Sequence, residues 1–228
     1  MKRNITILVA VLVIALVVLT SCTVSPTVEV ETVDCSSFSG LARDDCHAEQ
    51  LQCSKVEDER LRDSCVAELA KKKEDDSVCN LIKAEKTKAY CLEQIAVLKN
   101  KDKLCLKIED QYWQDNCYYN LGINNNKDEL CKSVDDAGQR EKCFKTIALE
   151  TNNHLLCGFI SDGNERDGCI VAIAKATKNT EICETSSSAF AADVCRYRVA
   201  KASNNPELCE TIGFKGVKGT CQEFFVEE

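Results

Sequence analysis

The sequence predicts an all-α fold, an α-solenoid of short helix-turn-helix repeats with a 26-residue period, stapled by intra-repeat disulfides. Three observations carry this reading. Cysteines recur at alternating intervals of 12 and 14 residues, from Cys53 through Cys65, Cys79, Cys91, Cys105, Cys117, Cys131, Cys143, Cys157, Cys169, Cys183, Cys195 and Cys209 to Cys221. Apolar and small residues recur at fixed offsets from them, and polar, asparagine-rich turns close several of the periods. A fixed period of roughly 20–50 residues marks architectures in which each unit buries its apolar face only against its neighbours.

Each period opens with a short helix. Val78, Leu104, Leu130, Leu156, Ile182 or Leu208 precedes the first cysteine. Val56, Ile82, Ile108, Val134, Ile160 or Ile212 stands three residues after it, with Ser186 as the exception. These offsets form one apolar stripe on a helix of about two turns. Asp76, Asp102 and Asp128 mark its start, as does Asn205-Pro206, where a capping residue precedes a proline suited to the first helical position.

A second, longer helix follows. Asp58, Asp110, Asp136, Asp162 and Ser188, five residues after the first cysteine, are its expected N-caps, with Gly138, Gly163 and Gly216 nearby as a turn permits. Beyond the second cysteine come the pairs Leu69-Ala70, Ile95-Ala96, Leu121-Gly122, Ile147-Ala148, Ile173-Ala174 and Val199-Ala200. Large-then-small at fixed positions predicts a bulky core residue beside a close helix crossing. The helix runs out in turns such as Asn124-Asn125-Asn126, Thr151-Asn152-Asn153 and Ser203-Asn204-Asn205. Counted by cysteine pairs there are eight units. The first, Cys35 to Gln52, is truncated and reads as a cap, and the last replaces Ile-Ala by Phe225-Val226. Residues 34–228 are expected to form one repeat domain.

The chain before that domain has a different character. Met1-Lys2-Arg3-Asn4 is a short basic start, and Ile5 to Leu19 is almost wholly apolar. Fifteen residues of helix rise about 22 Å, short of a hydrocarbon core of roughly 30 Å, which favours a secretion signal over a spanning helix. Leu19-Thr20-Ser21-Cys22 then resembles the lipobox of prokaryotic membrane lipoproteins. The resemblance covers the first 22 residues and implies that residues 1–21 are a cleaved signal peptide, that Cys22 is the lipidated N-terminus, and that residues 22–33 are an anchor and tether. Without Lys2 and Arg3 the chain has 27 basic and 37 acidic residues and a formal charge of −10. Such a balance disfavours nucleic acid as a partner. The expected location is the cell membrane, lipid-anchored and extracytoplasmic, facing the cell surface or periplasm.

Export makes a disulfide framework the expected state of the other 16 cysteines. Bridging those 12 apart, with Cys35–Cys46 as a shorter first pair, leaves none unpaired; bridging those 14 apart strands Cys221 and gives Cys35, Cys46 and Cys53 no shared rule. The count favours the first scheme. No metal site or cofactor is expected, because the chain has only His47 and His154 and no C-x2-C pair.

Two further patterns bear on function. Basic residues three before the second cysteine (Arg43, Arg62, Lys88, Arg140, Arg166, Lys218) and acids two before it (Asp44, Asp63, Asp115, Glu141, Asp167, Asp193) read as exposed ion pairs between repeats, or as a charged ladder on a binding face. Tyr112, Trp113, Tyr118 and Tyr119 cluster in one central unit and are not repeated, which makes them a candidate binding patch as well as candidate core. No nucleophile–base–acid set, phosphate loop or nucleotide fingerprint stands out, so no catalytic residues are expected. The architecture is similar to that of disulfide-stapled Sel1-like repeat proteins, although their repeat is about ten residues longer and glycine-rich. That resemblance implies a surface for a protein, peptide or glycan, with a cell-wall or β-lactam-like hydrolase as the alternative and a structural spacer as a third reading.

Overall fold

The computed structural model describes residues 33–226, so the proposed signal peptide, Cys22 and the tether up to residue 32 lie outside the described residues. The chain divides into two units, Met1–Ser37 and Phe38–Glu228, and the first is described from residue 33 on. In the first, Cys35–Ser37 form a 3-10 turn. Asp34 starts it by accepting the Ser36 N–H at 2.9 Å, and Cys35 is disulfide-bonded.

In the second unit, all regular structure among the described residues is helical. Its long helices, numbered here in order, are α1 (Leu41–Glu49), α2 (Glu59–Lys73), α3 (Glu85–Lys99), α4 (Gln111–Asn125), α5 (Ala137–Thr151), α6 (Gly163–Thr177), α7 (Ala189–Ser203) and α8 (Lys215–Val226). Each packs against the next. From α2 to α7 every one has 15 residues. The short element between consecutive long helices is, in five of the repeats, a six-residue 3-10 helix: Asp76–Leu81, Asp102–Lys107, His154–Phe159, Thr180–Thr185 and Pro206–Thr211.

A 3-10 helix instead of an α-helix follows from what fixes its two ends. At the start, Asp75, Asn153, Asn179 and Asn205 each accept the N–H two residues on, an Asx turn that tightens the first winding. At the end, the apolar residue three after the cysteine donates its N–H back to that cysteine's carbonyl, as Ile82 does to Cys79 at 3.1 Å. It then turns extended, which drops its side chain into the core. Two three-residue turns fill the interval. The N-cap positions therefore stand one residue earlier than the sequence suggested, at Asp75 and at Lys101 and Lys127, the last two without a side-chain cap: Asp76, Asp102 and Asp128 are the first helical residues, where a carboxylate still favours the helix dipole. Asn205-Pro206 is placed as expected.

The long helices start as the sequence predicts. Asp58, Asp110, Asp136, Asp162 and Ser188 each accept the N–H three residues on. Gly138, Gly163 and Gly216 are not in the turns; they lie in the first winding of α5, α6 and α8. The ends share one Schellman geometry. Glu74, Asn100, Asn126, Asn152, Lys178 and Asn204 take the left-handed conformation, with φ between 50° and 55°. The next residue donates its N–H to the small residue of the large–small pair: Asp75 to Ala70, Lys101 to Ala96, Lys127 to Gly122, Asn153 to Ala148, Asn179 to Ala174 and Asn205 to Ala200. In Asn152-Asn153 and Asn204-Asn205 the first asparagine ends one helix and the second caps the next.

Those small residues are wholly buried, and the reason is visible at Gly122. A Cβ there would lie 3.3 Å from the Lys127 carbonyl and 3.4 Å from the Sγ of Cys143, which belongs to the next unit. One unit's helix end is thus pressed on the next unit's disulfide. The bulky partners Ile95, Leu121, Ile147, Ile173 and Val199 are at most 1% exposed and fill the layer between long helices. Each contributes on the order of 1.5–3 kcal/mol by burial.

The bridges are intra-repeat. Cys53–Cys65, Cys79–Cys91, Cys105–Cys117, Cys131–Cys143, Cys157–Cys169, Cys183–Cys195 and Cys209–Cys221 each span 12 residues, with Cα atoms 5.5–5.9 Å apart. Cys46, on α1, is also disulfide-bonded. Each of these seven bridges ties a short element, a 3-10 helix except for the α-helical Asp128–Cys131, to the long helix that follows it. Closing a loop of that size restricts the unfolded chain by about 3 kcal/mol in the chain-entropy description. Ser186, the break in the apolar pattern, leaves its buried hydroxyl oxygen without a hydrogen-bond partner.

Candidate functional site

The acids two before the second cysteine are neither solvent-facing ion pairs nor a charged ladder. Asp44, Asp63, Asp115 and Asp193 are buried, and Asp167 is half-buried. Each carboxylate reaches into the next unit and accepts backbone N–H groups where the chain turns into the next long helix. Asp63 takes Lys83 N at 3.2 Å and Ala84 N at 2.8 Å. Asp115 takes Asp135 N at 3.0 Å and Asp136 N at 2.8 Å. Asp193 takes Gly213 N at 3.1 Å and Phe214 N at 2.8 Å. Asp44 binds Asp58 N and Asp167 binds Ser187 N, both at 2.8 Å. These acids latch unit to unit.

The electrostatics suit an ionised latch. Burial is the largest single influence on Asp115 and works against its charge, but the N–H groups of Asp135 and Asp136, the Gln111 amide and Arg140 together outweigh it. Its pKa is lowered. Asp193 has the same balance, with Phe214 N, Gly213 N and Arg196 overcoming burial. The basic residues beside the acids mostly serve their own unit: Arg140 donates to the Val134 carbonyl at 2.8 Å and Arg166 to the Ile160 carbonyl at 3.4 Å, bracing the inter-helix turn. Gln114 occupies the same position in its unit and donates to the Ile108 carbonyl at 3.1 Å.

Two junctions depart from the rule. Glu141 is half-buried and makes no such hydrogen bond among the described residues. At the junction after Cys79–Cys91 the position is Ala89, 6% exposed, with no carboxylate at all. A small polar pocket of about 10 Å³ opens there, lined by Lys88, Ala89, Leu92, Lys107, Glu109 and Asp110 among others. The signal was present in the sequence, since the acid series skips 89.

The same region holds two exposed tyrosines and the partly buried Trp113. Tyr112 is 64% exposed and meets Trp113 edge-on with ring centroids 5.0 Å apart. The Lys86 ammonium lies 5.4 Å from the Trp113 ring centroid, and Tyr90, next to Ala89, is 48% exposed. Tyr118 does not join this surface; it is 7% exposed and belongs to the core, where a residue just after the second cysteine faces inward. Tyr119 is half-buried, with the Lys142 ammonium 5.7 Å from its ring centroid. The four aromatics adjacent in sequence therefore divide between core and surface.

Glu93, on α3, was not singled out by the sequence. It is 7% exposed and accepts a hydrogen bond from the Asn120 amide of α4 at 2.8 Å. Burial raises its pKa in spite of that bond. Near the start of the second unit, an open groove of about 460 Å³ between α1 and α2 has Ala48, Leu51, Leu61 and Cys65 in its lining and Glu49, Glu68 and Lys72 among its polar residues. Among the described residues no group of three or more His, Cys, Asp or Glu side chains is placed to hold a metal ion, and no helix is long and apolar enough to cross a membrane.

The fold and its bridges define a class: a helical-repeat protein stapled by intra-repeat disulfides, whose oxidised cysteines point to an extracytoplasmic, oxidising environment. Compared with known proteins, the chain matches no family model, no curated protein and no solved structure.

Proposed function

We propose that this protein is an exported, lipid-anchored repeat scaffold of the cell envelope that presents a rigid surface to a protein, peptide or glycan. The observation that carries the binding role is a cluster of non-repeated aromatics: Tyr90 and Tyr112 are 48% and 64% exposed, and Trp113, partly buried against the core, meets Tyr112 edge-on. Aromatic side chains bring large contact area with few rotors to lose, which suits an interface anchor. Rigidity comes from the staples and latches on both sides, so little ordering entropy is lost on binding. The anchor rests on the lipobox-like Leu19-Thr20-Ser21-Cys22, and the likeness to Sel1-like repeat proteins extends to architecture alone.

Cross-linking pull-down from intact membranes tests the binding role. Reproducible capture of one partner, lost when Tyr112 and Trp113 are changed together to alanine, is the expected outcome; an empty capture contradicts it and favours a spacer. Incorporation of labelled palmitate that disappears in Cys22→Ser tests the anchor. Unchanged labelling in that variant overturns it.

A further inference from the structure

We propose that the exposed line of side chains running from Tyr112 on α4, across α5 and α6, to Phe190 on α7 docks an extended, lysine- or arginine-rich peptide segment of a partner protein. Tyr112 and Phe190 are the posts that bound it. Each stands five residues before the second cysteine of its unit, so the two occupy one register position three repeats apart. Tyr112 is 64% exposed and Phe190 52%. Each is braced edge-on by an aromatic neighbour, Tyr112 by Trp113 with ring centroids 5.0 Å apart and Phe190 by Phe214 at 5.3 Å. At the same position the two units between them carry Gly138 and Asn164, both exposed. Neither a left-handed backbone nor a close contact requires glycine at 138: a Cβ there would meet nothing nearer than the Asp136 carboxylate at 3.5 Å. Glycine weakens a helix relative to alanine, so the low stretch between the posts is kept open at a cost to α5.

Length and charge select the occupant. Packed helices lie about 8–10 Å apart, which sets the posts about 24–30 Å from each other. That is the reach of about eight or nine residues of extended chain. Along this line Glu109, Asp110, Asp135, Asp136 and Asp162 are exposed and join no ion pair among the described residues. The cations that α5 and α6 carry towards it are engaged elsewhere. Arg140 and Arg166 are half-buried and donate to the Val134 and Ile160 carbonyls, the Lys142 ammonium lies 5.7 Å from the Tyr119 ring centroid, and Lys145 is paired with Glu165. Lys86 lies beyond Tyr112, over the Trp113 ring. A negative strip bounded by aromatic rings complements positive charges on long apolar stems, which the rings receive by cation–π contact. An uncharged glycan would make no use of that field.

The site rests on the binding reading above and names what that surface takes. The test is a fluorescence-anisotropy titration of the full, oxidised chain with a labelled peptide of about nine residues that alternates lysine and serine. Saturable binding that weakens as salt is raised is expected. Tyr112→Ala and Phe190→Ala should each weaken it about tenfold, and Gly138→Lys, which fills the low stretch and opposes its charge, by about tenfold or more. Gly216→Lys adds the same charge at the same register position beyond Phe190, where a Cβ meets nothing within 4 Å, and should leave the affinity within about twofold. Equal losses in the two lysine variants, no loss in Gly138→Lys, or equal binding of the counterpart with glutamate in place of lysine overturns the proposal. Displacement of the peptide by an uncharged N-acetylglucosamine oligosaccharide gives the surface to a glycan and overturns the peptide assignment. A pull-down partner that depends on Tyr112 and Trp113 but is captured equally by Gly138→Lys leaves the binding role standing and removes this site alone.

Discussion

The junctions after Cys79–Cys91 and after Cys105–Cys117 enter their next long helices alike but differ in the side chain two before the second cysteine. Asp115 closes the second by holding Asp135 N and Asp136 N, whereas Ala89 leaves the first with a pocket beside Glu109 and Asp110. A repeat protein built from nearest-neighbour contacts needs each interface to contribute. Of the two junctions that depart from the rule, the one at Ala89 lies next to exposed tyrosines, where packing is not the sole constraint. The difference also separates two kinds of fastening: disulfides fix each unit internally, and carboxylate latches register one unit on the next.

The largest expected effect removes the first kind. Changing Cys105 and Cys117 together to alanine should cost about 3 kcal/mol of unfolding free energy in denaturant titrations. The α3–α4 and α4–α5 interfaces should both loosen, since that bridge lies between them. Removing the second kind comes next. Asp115→Ala should cost about 2–3 kcal/mol, because hydrogen bonds to a charged group are lost and two amides are left without their acceptor.

The same carboxylate sets the response to acid. Its folded pKa lies below the ordinary value, so its stabilisation is present above the unfolded pKa of about 4 and is lost as pH falls through the lower folded value. Wild type should therefore lose stability below about pH 4 more steeply than Asp115→Ala, measured by thermal melts across pH. Asp193 adds to the slope in the same direction.

Supplying a carboxylate at position 89 is the reverse experiment. Ala89→Asp should raise stability by about 1 kcal/mol, a gained charge-assisted bond offset by side-chain ordering. An unchanged or lowered melting temperature would show that this junction is not equivalent to the latched ones. The smallest effect concerns Glu93 on the same helix. Its raised pKa means that its contribution is present below about pH 4.5 and is lost as pH rises through the folded value. Glu93→Gln should flatten that decline and leave the protein as stable as wild type or slightly more so at neutral pH, since Asn120 keeps an acceptor.

Much of the fold was legible because its determinants are local and repeated. Cysteine spacing, N-caps such as Asp110 and Asp136, and the large–small pairs all follow from short-range chemistry. What was not legible depends on the neighbouring unit. Sequence could not tell a two-turn α-helix from a six-residue 3-10 helix, because the choice is made by an Asx turn at Asp75 and a fixed exit at Ile82. The acids looked like surface charges because their partners are backbone amides about 20 residues away, and amides leave no mark in a sequence. Tyr118 and Tyr112 differ by six residues and by which face of α4 they occupy, which a cluster in the sequence hides. The alanine at 89 was visible as a gap in a series, but the series had no meaning until the latch was seen.

The central claim is that the side chain two before the second cysteine decides whether a junction is closed. Hydrogen exchange of individual backbone amides tests it directly. The account predicts slow exchange at Asp135, Asp136, Gly213 and Phe214, where a carboxylate is bound, and fast exchange at Glu109 and Asp110. Equal protection at all six amides would contradict it.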